Sequence, residues 1–213
     1  MTHTRCHIVY YMRMDRILET AVTYLNRRDS LIYSYHGNTF LQDGELTDPD
    51  NGGRGRIDCS TLVHLAMAGM GYGDSPYVTG DDGKFFDALC PWYDTIITFR
   101  DLFLKYSDRS CDIRRAYGLA RYCRENGMEI GQNDERRPGD LVFFDAPPSV
   151  YEEYVKYGAY LAVSHVGIVT EDTDIMINAT GRSDHIYNAH HDPVQLTRIE
   201  DRGTPVITAR MTF

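Results

Sequence analysis

Cys59 is the residue whose surroundings most invite chemistry. It stands in Arg56-Ile57-Asp58-Cys59-Ser60-Thr61-Leu62-Val63, and Cys59, Leu62, Val63, Ala66, Met67 and Met70 recur at helical spacing before Gly71 and Gly73 supply a stop. A thiol attacks carbonyl carbons only as thiolate, and the partial positive charge of a helix amino terminus favours that anion, so a lowered thiol pKa is expected here. The N–H groups of the same turn can donate to a developing oxyanion, typically worth about 3 kcal/mol per donor. The plainer alternative is a buried small hydrophobe, because free cysteine is among the most buried residue types. Cys6, Cys90, Cys111 and Cys123 are read in that plainer way.

A thiol nucleophile needs a base, and of eight histidines His165 in Val163-Ser164-His165-Val166-Gly167-Ile168-Val169 is the best placed. Strand-forming neighbours hold its ring, and Gly167 lets another backbone or a ligand come close. His185, His190 and His191 lie in a polar segment, and His64 shares the helix of Cys59 but is expected to turn away from it. A third polar group usually accepts the other imidazole N–H. Asn178, in Ile175-Met176-Ile177-Asn178-Ala179-Thr180, can do so, although a polar residue in an apolar strand could also be an outward position without consequence. Five cysteines with no Cys-x-x-Cys pair argue against a disulfide scaffold or zinc ribbon. The Cys and His spacing matches no standard metal pattern, so no metal site is expected.

These residues need elements to position them. The 213 residues suit one domain, 1–213, large enough to bury a real core. Ile17, Leu18, Ala21, Val22 and Leu25 predict an amphipathic helix from about Asp15 to Arg28. From Tyr33 to Arg56 the pattern dissolves into turn residues that lead straight to Cys59. Tyr77 to Leu102 is irregular and aromatic, a second helical pattern runs from about Asp112 to Asn126 and stops at Gly127, and together they suggest a helical insertion over about 74–134. Phe85, Phe86, Trp92, Tyr93, Phe99 and Phe103 could wall a groove or belong to a core. Leu141–Phe144, Val163–Thr170, Ile175–Ala179 and Val206–Met211 read as strands of a mostly antiparallel sheet, with Tyr151–Tyr154 a loop between two of them. Helices first and strands later make an α+β domain.

A formal charge of −9 and a pI of about 5.3 do not suit a sequence-independent nucleic-acid binder, which needs a basic face. The first ten residues lack the apolar core and small-residue cleavage site of a secretory signal, and no stretch approaches a membrane span. Synthesis in the cytoplasm is expected, with any action outside the cell needing another exit route.

Three segments in this order resemble the NlpC family of cell-wall cysteine hydrolases. Asp58-Cys59-Ser60-Thr61-Leu62-Val63 is similar to that family's Asp-Cys-Ser-Gly-Leu-Val signature, with Thr61 where glycine is usual. Arg137-Pro138-Gly139-Asp140-Leu141-Val142-Phe143-Phe144 matches its Pro-Gly-Asp-Leu-Val-Phe-Phe strand, and Ser164-His165-Val166-Gly167-Ile168-Val169 its histidine strand. The likeness covers roughly Tyr33 to Thr180.

It implies a papain-like fold with Cys59 as nucleophile at the amino terminus of a helix packed on the sheet, His165 as base and Asn178 as third residue, a place more often held by histidine in the family. It further implies that Tyr33, or failing it Tyr35, brings a hydroxyl to the site, and that Asp58 and Ser60 receive the free amino end of the substrate peptide. Asp58 could equally cap the helix. The implied activity is hydrolysis of a peptidoglycan amide, at the D-glutamyl-diamino acid bond or, in phage-type relatives, between muramic acid and L-alanine, with no metal or organic cofactor required. The implied partner is peptidoglycan or a muropeptide, met after phage- or effector-type release. A non-catalytic binding module with the same fold is the competing class.

Overall fold

A computed structural model of the protein describes residues 16–33, 55–67, 71–72, 115–131, 134–156, 158–181 and 192–211. Helix α1 covers residues 16–25, and a short parallel pair follows, β1 (Leu31–Tyr33) with β2 (Gly55–Ile57). Next come α2 (Cys59–Met67) and α3 (Ala116–Glu125). The carboxyl half supplies β3 (Leu141–Asp145), α4 (Tyr151–Lys156), β4 (Val163–Val169), β5 (Ile175–Ala179), β6 (Val194–Arg198), α5 (Ile199–Arg202) and β7 (Ile207–Ala209). Strands β3 to β7 form one antiparallel sheet in the order β6-β5-β4-β3-β7. The fold is α+β.

Period-two alternation divides the sheet residues between two faces. Leu141, Phe143, Val166, Ile168, Ile177, Ala179, Ile207 and Ala209 share a core with Leu18 and Ala21 of α1, Leu62, Val63 and Ala66 of α2, and Leu119 and Cys123 of α3. Val142, Phe144, Val169 and Met176 lie on the other face, under Ile199. Cover on both sides explains why Leu141-Val142-Phe143-Phe144 is a continuous apolar run with all four side chains buried. Each such burial stabilises by about 1.5–3 kcal/mol.

Helix α3 ends where its sequence says it should. Gly127 takes a left-handed φ of +68°, and the N–H groups of Gly127 and Met128 donate to the carbonyls of Arg124 and Cys123 at 3.1 and 2.9 Å. This closure uses up carbonyls that the helix end would otherwise orphan. The rest of the expected 74–134 insertion before residue 115, with its aromatic residues, lies outside the described residues. So do residues 68–70 at the end of the expected Cys59 helix, and the stop residue Gly73.

Two expectations change. Tyr151–Tyr154 is not a loop, because Tyr151–Lys156 forms α4. Its glutamates, Glu152 and Glu153, stand in the first turn and Lys156 in the last, as the helix dipole favours. Strand β6 was not foreseen from Val194-Gln195-Leu196-Thr197-Arg198, whose polar positions Gln195 and Thr197 are buried. The Thr197 hydroxyl and the Gln195 backbone carbonyl turn out to serve Asn178, described below.

The Asp140 of the Pro-Gly-Asp turn has a structural task. Its carboxylate is fully buried and takes two hydrogen bonds from Arg210, Nε to Oδ1 at 3.0 Å and Nη2 to Oδ2 at 2.8 Å, with a third from the Arg137 N–H at 2.8 Å. This pair ties the chain after β7 to the turn that starts β3. Removing one partner of a buried pair strands the other, so Asp140→Ala should destabilise by about 3–5 kcal/mol. Urea unfolding should show this as a lower midpoint at unchanged m; a loss within 0.5 kcal/mol, the range of about ±0.5 kcal/mol usual for surface changes, would contradict it.

Candidate functional site

The site is built where β4 leaves β5. Their ladder includes only Val169–Met176 and Ile168–Ile177, whereas β5 stays paired with β6 as far as Ala179–Val194. Toward its amino end β4 also carries a bulge, since Phe144 opposes His165 but Asp145 opposes Val163, and Ser164 is the extra residue. Just before it, Leu161 and Ala162 hold left-handed φ values of 50° and 51°, a strained entry of the kind that gathers at functional sites.

Cys59 fills this opening. It is the first residue of α2, and its thiol reaches the Ser164 carbonyl at 4.0 Å. The backbone N–H groups of Val166 and Ser60 are near enough to the sulfur to favour its anion. The sulfur therefore sits against the stretch of β4 that carries His165.

His165 is 6% exposed and lies across from Asn178, with Nε2 at 2.9 Å from Asn178 Oδ1. Asn178 is fully buried and is held in turn by β6, its Nδ2 donating to Thr197 Oγ1 at 2.8 Å and to the Gln195 carbonyl at 3.3 Å. A carbonyl can only accept, so Nδ2 must face Gln195 and Oδ1 must face the imidazole. The neutral ring then carries its proton on Nε2 and its lone pair on Nδ1. Asn178 is an inward residue, not an outward one. Gly167 makes room for a side chain of the next strand instead of a ligand, because a methyl there would overlap the Met176 sulfur.

The helix start is anchored by Asp58. Its Oδ1 accepts from the Thr61 N–H at 2.8 Å, Thr61 Oγ1 at 2.8 Å and Ser60 Oγ at 3.0 Å, while Oδ2 faces Arg115 at 4.0 Å. This is an N-cap, worth about 1 kcal/mol, and the Thr61 hydroxyl joins it. Ser60 is spent on the same carboxylate. Tyr33, at the end of β1, packs its ring on Gly181 and lies close enough to Cys59 and Asp58 to feel their charges. Burial raises its hydroxyl pKa well above the ordinary tyrosine value. Tyr35, the fallback, lies outside the described residues, as do His185, His190, His191, Cys6, Cys90 and Cys111.

The thiol itself departs from expectation. Burial, reinforced by the Asp58 carboxylate, pushes Cys59 from an ordinary 9.0 up to about 12, against the pull of the Val166 N–H, Arg202 and the Ser60 N–H. Desolvation outweighs the helix end. The resting group is a neutral thiol. Arg202 was not singled out from the sequence; it follows β6 in Ile199-Glu200-Asp201-Arg202, and only the fold brings it to Cys59 and Tyr33. Among the described residues no three His, Cys, Asp or Glu side chains gather as a metal site, and no helix is long and apolar enough to cross a membrane.

Cys123, buried beside Met211 in the core, is also pushed up to about 12 by burial. A thiol whose folded pKa is raised adds stability that is complete below its unfolded pKa and is lost as pH climbs toward the folded one. Urea midpoints should therefore fall from about pH 9 upward. The fall should be shallower in the double variant Cys59→Ala, Cys123→Ala, and an equally steep fall there would acquit both thiols.

Comparisons with protein-family models, with curated proteins and with solved structures gave no match, so the chemistry of the site rests on its own geometry.

Proposed function

We propose that the chain is a papain-like cysteine hydrolase of NlpC type that cuts an amide bond in the stem peptide of peptidoglycan. The observation that carries this reading is the sequence of contacts from β6 to the thiol: Gln195 and Thr197 orient Asn178, Asn178 holds His165 Nε2, and Cys59 sits against the backbone on either side of His165. The ordered motifs around Cys59, Asp140 and His165 point to the wall as the substrate, with the D-glutamyl-diamino acid bond as the first reading and the muramoyl-L-alanine bond as the alternative.

The reaction follows from these groups. Because the buried thiol is neutral at rest, its proton passes to His165 Nδ1 as sulfur attacks the amide carbonyl. The imidazolium then protonates the leaving amine, and water, deprotonated by the same ring, opens the thioester. Asn178 Oδ1 accepts from Nε2 throughout and steadies the imidazolium. First-turn N–H groups and the Tyr33 hydroxyl, kept protonated by burial, are donors for the oxyanion. If Asp58 receives a substrate amine, as the resemblance implies, it does so through Oδ2, since Oδ1 already has three donors.

Incubation of purified cell walls of different chemotypes with the protein, followed by mass spectrometry of the released muropeptides, tests this directly. New amino and carboxyl termini within the stem peptide are expected, and their masses separate a D-glutamyl endopeptidase from a muramoyl-L-alanine amidase. Cys59→Ala should abolish release, and His165→Ala should lower kcat by about 10²–10⁴-fold, the usual worth of a positioned base. Wild-type release by Cys59→Ala would refute the nucleophile, and no release from any wall would favour the binding module.

A further inference from the structure

The turn into β4 holds a conformation that its own residues do not favour. Leu161, at φ 50° and ψ 26°, and Ala162, at φ 51°, are consecutive left-handed residues. In that region Cβ crowds the following carbonyl oxygen, and neither side chain has the polar group with which asparagine offsets the cost. Burial does not explain the leucine, because its side chain is 41% exposed. What is retained is a backbone shape, and such a shape persists only where its surroundings over-determine it.

The surroundings do so from three sides. Ala159, before the turn, donates its N–H to the Tyr154 carbonyl of α4 at 3.0 Å. Tyr160 is held by Arg124 of α3, whose guanidinium lies 6.0 Å from its ring centre with Nη1 at 3.4 Å from its hydroxyl. Glu129 steadies that guanidinium in turn, at 2.6 and 2.7 Å. Ala162 is tied at both ends, its N–H donating to the Ala159 carbonyl at 2.9 Å and its carbonyl accepting from the Ala146 N–H at 2.8 Å. This last bond continues the pairing with β3 beyond the bulge, where Asp145 opposes Val163. Ser164 is left over between Val163 and His165. Its hydroxyl donates to the Asp145 carbonyl at 3.1 Å, and its own carbonyl meets the Cys59 thiol at 4.0 Å.

Turning Ala162 to an ordinary φ would swing its carbonyl away from Ala146 and free the strand to slip. A slip of one residue would carry His165 to the other face of the sheet. We propose that the left-handed pair Leu161–Ala162 is a positioning element of the site: it locks the bulge at Ser164, and with it the carbonyl that seats Cys59 and the face to which His165 turns. Its catalytic consequence rests on the hydrolase reading, and its structural content does not.

Replacing the exposed Leu161 by residues that differ in their tolerance of the left-handed region tests the lock. Glycine and asparagine accept that region, whereas a β-branched residue is a severe outlier there. Leu161→Gly and Leu161→Asn should keep kcat within about twofold of the parent, and Leu161→Val should lower it by about tenfold with KM changed by less than about twofold. Two readouts need no substrate. In Leu161→Val the Ala146 amide should exchange with solvent about tenfold faster while the amides of the β5–β6 ladder keep their protection. Cys59 should also be alkylated faster by iodoacetamide, as read by peptide mass mapping. If Leu161→Val does not fold, the clamp on Tyr160 gives the same information: Arg124→Met should lower kcat and speed Ala146 exchange in the parent, and do neither in Leu161→Gly, where there is no strain for the clamp to oppose.

Loss of activity in Leu161→Gly and Leu161→Asn beside a normal Leu161→Val would make Leu161 a side-chain contact and overturn the lock. So would a general loss of stability without change in kcat, Ala146 exchange or Cys59 alkylation, or an equal effect of Arg124→Met in both backgrounds. A chain that shows the exchange and alkylation pattern but releases no muropeptide keeps the lock and loses the hydrolase; one that releases muropeptides equally in all variants does the reverse.

Discussion

The parting of β4 from β5 is the constraint on which the site depends. Backbone groups in an antiparallel ladder point alternately to the two neighbouring strands, so the N–H of Val166, two residues before Ile168, faces the side from which β5 has withdrawn. Left without a partner in a buried place, such a group costs about 1–3 kcal/mol. The Cys59 sulfur meets that N–H and the Ser164 carbonyl. The gap that takes in the thiol between the backbone groups flanking His165 is therefore also a gap that the thiol helps to satisfy.

The imidazole is governed from the other side of the gap. Gln195 offers a backbone carbonyl, which fixes which end of the Asn178 amide turns toward His165. That amide fixes the ring proton on Nε2, and the lone pair on Nδ1 follows. A strand two places away from β4 in the sheet thus decides the tautomer of its histidine, through rigid cross-strand geometry and without any charge. In the proposed reaction this matters because the thiol begins neutral, so its proton must find an acceptor already in place.

Asp58 and Thr61 complete the other half of the arrangement. Aiming α2 with Cys59 at its first position requires a firm helix start, and a carboxylate receiving three donors provides one. The same carboxylate raises the thiol pKa. Arg202 opposes it from the end of α5, so the thiol feels a negative group that positions its helix and a positive group that follows the sheet.

Much of this was legible in the amino-acid sequence. Helical spacing after Asp58, the glycine stop at Gly127 and the β-branched runs at Val163 and Ile175 are local signals, set by side-chain periodicity and backbone preference within a few residues, and the elements lie where those signals put them. Cys59, His165 and Asn178 could be named for the same reason, each carrying its chemical type in a recognisable local pattern. Tertiary structure alone decided the rest. Thr197 is buried where its hydroxyl accepts from the Asn178 amide, α4 has too few residues for a clear helical period, and Arg202 is 143 positions from Cys59 in a stretch with no motif. The thiol pKa went the other way from the helix-end argument because desolvation depends on everything packed around a group. Periodicity is written along the chain; burial and long-range partners exist only once distant segments share a core.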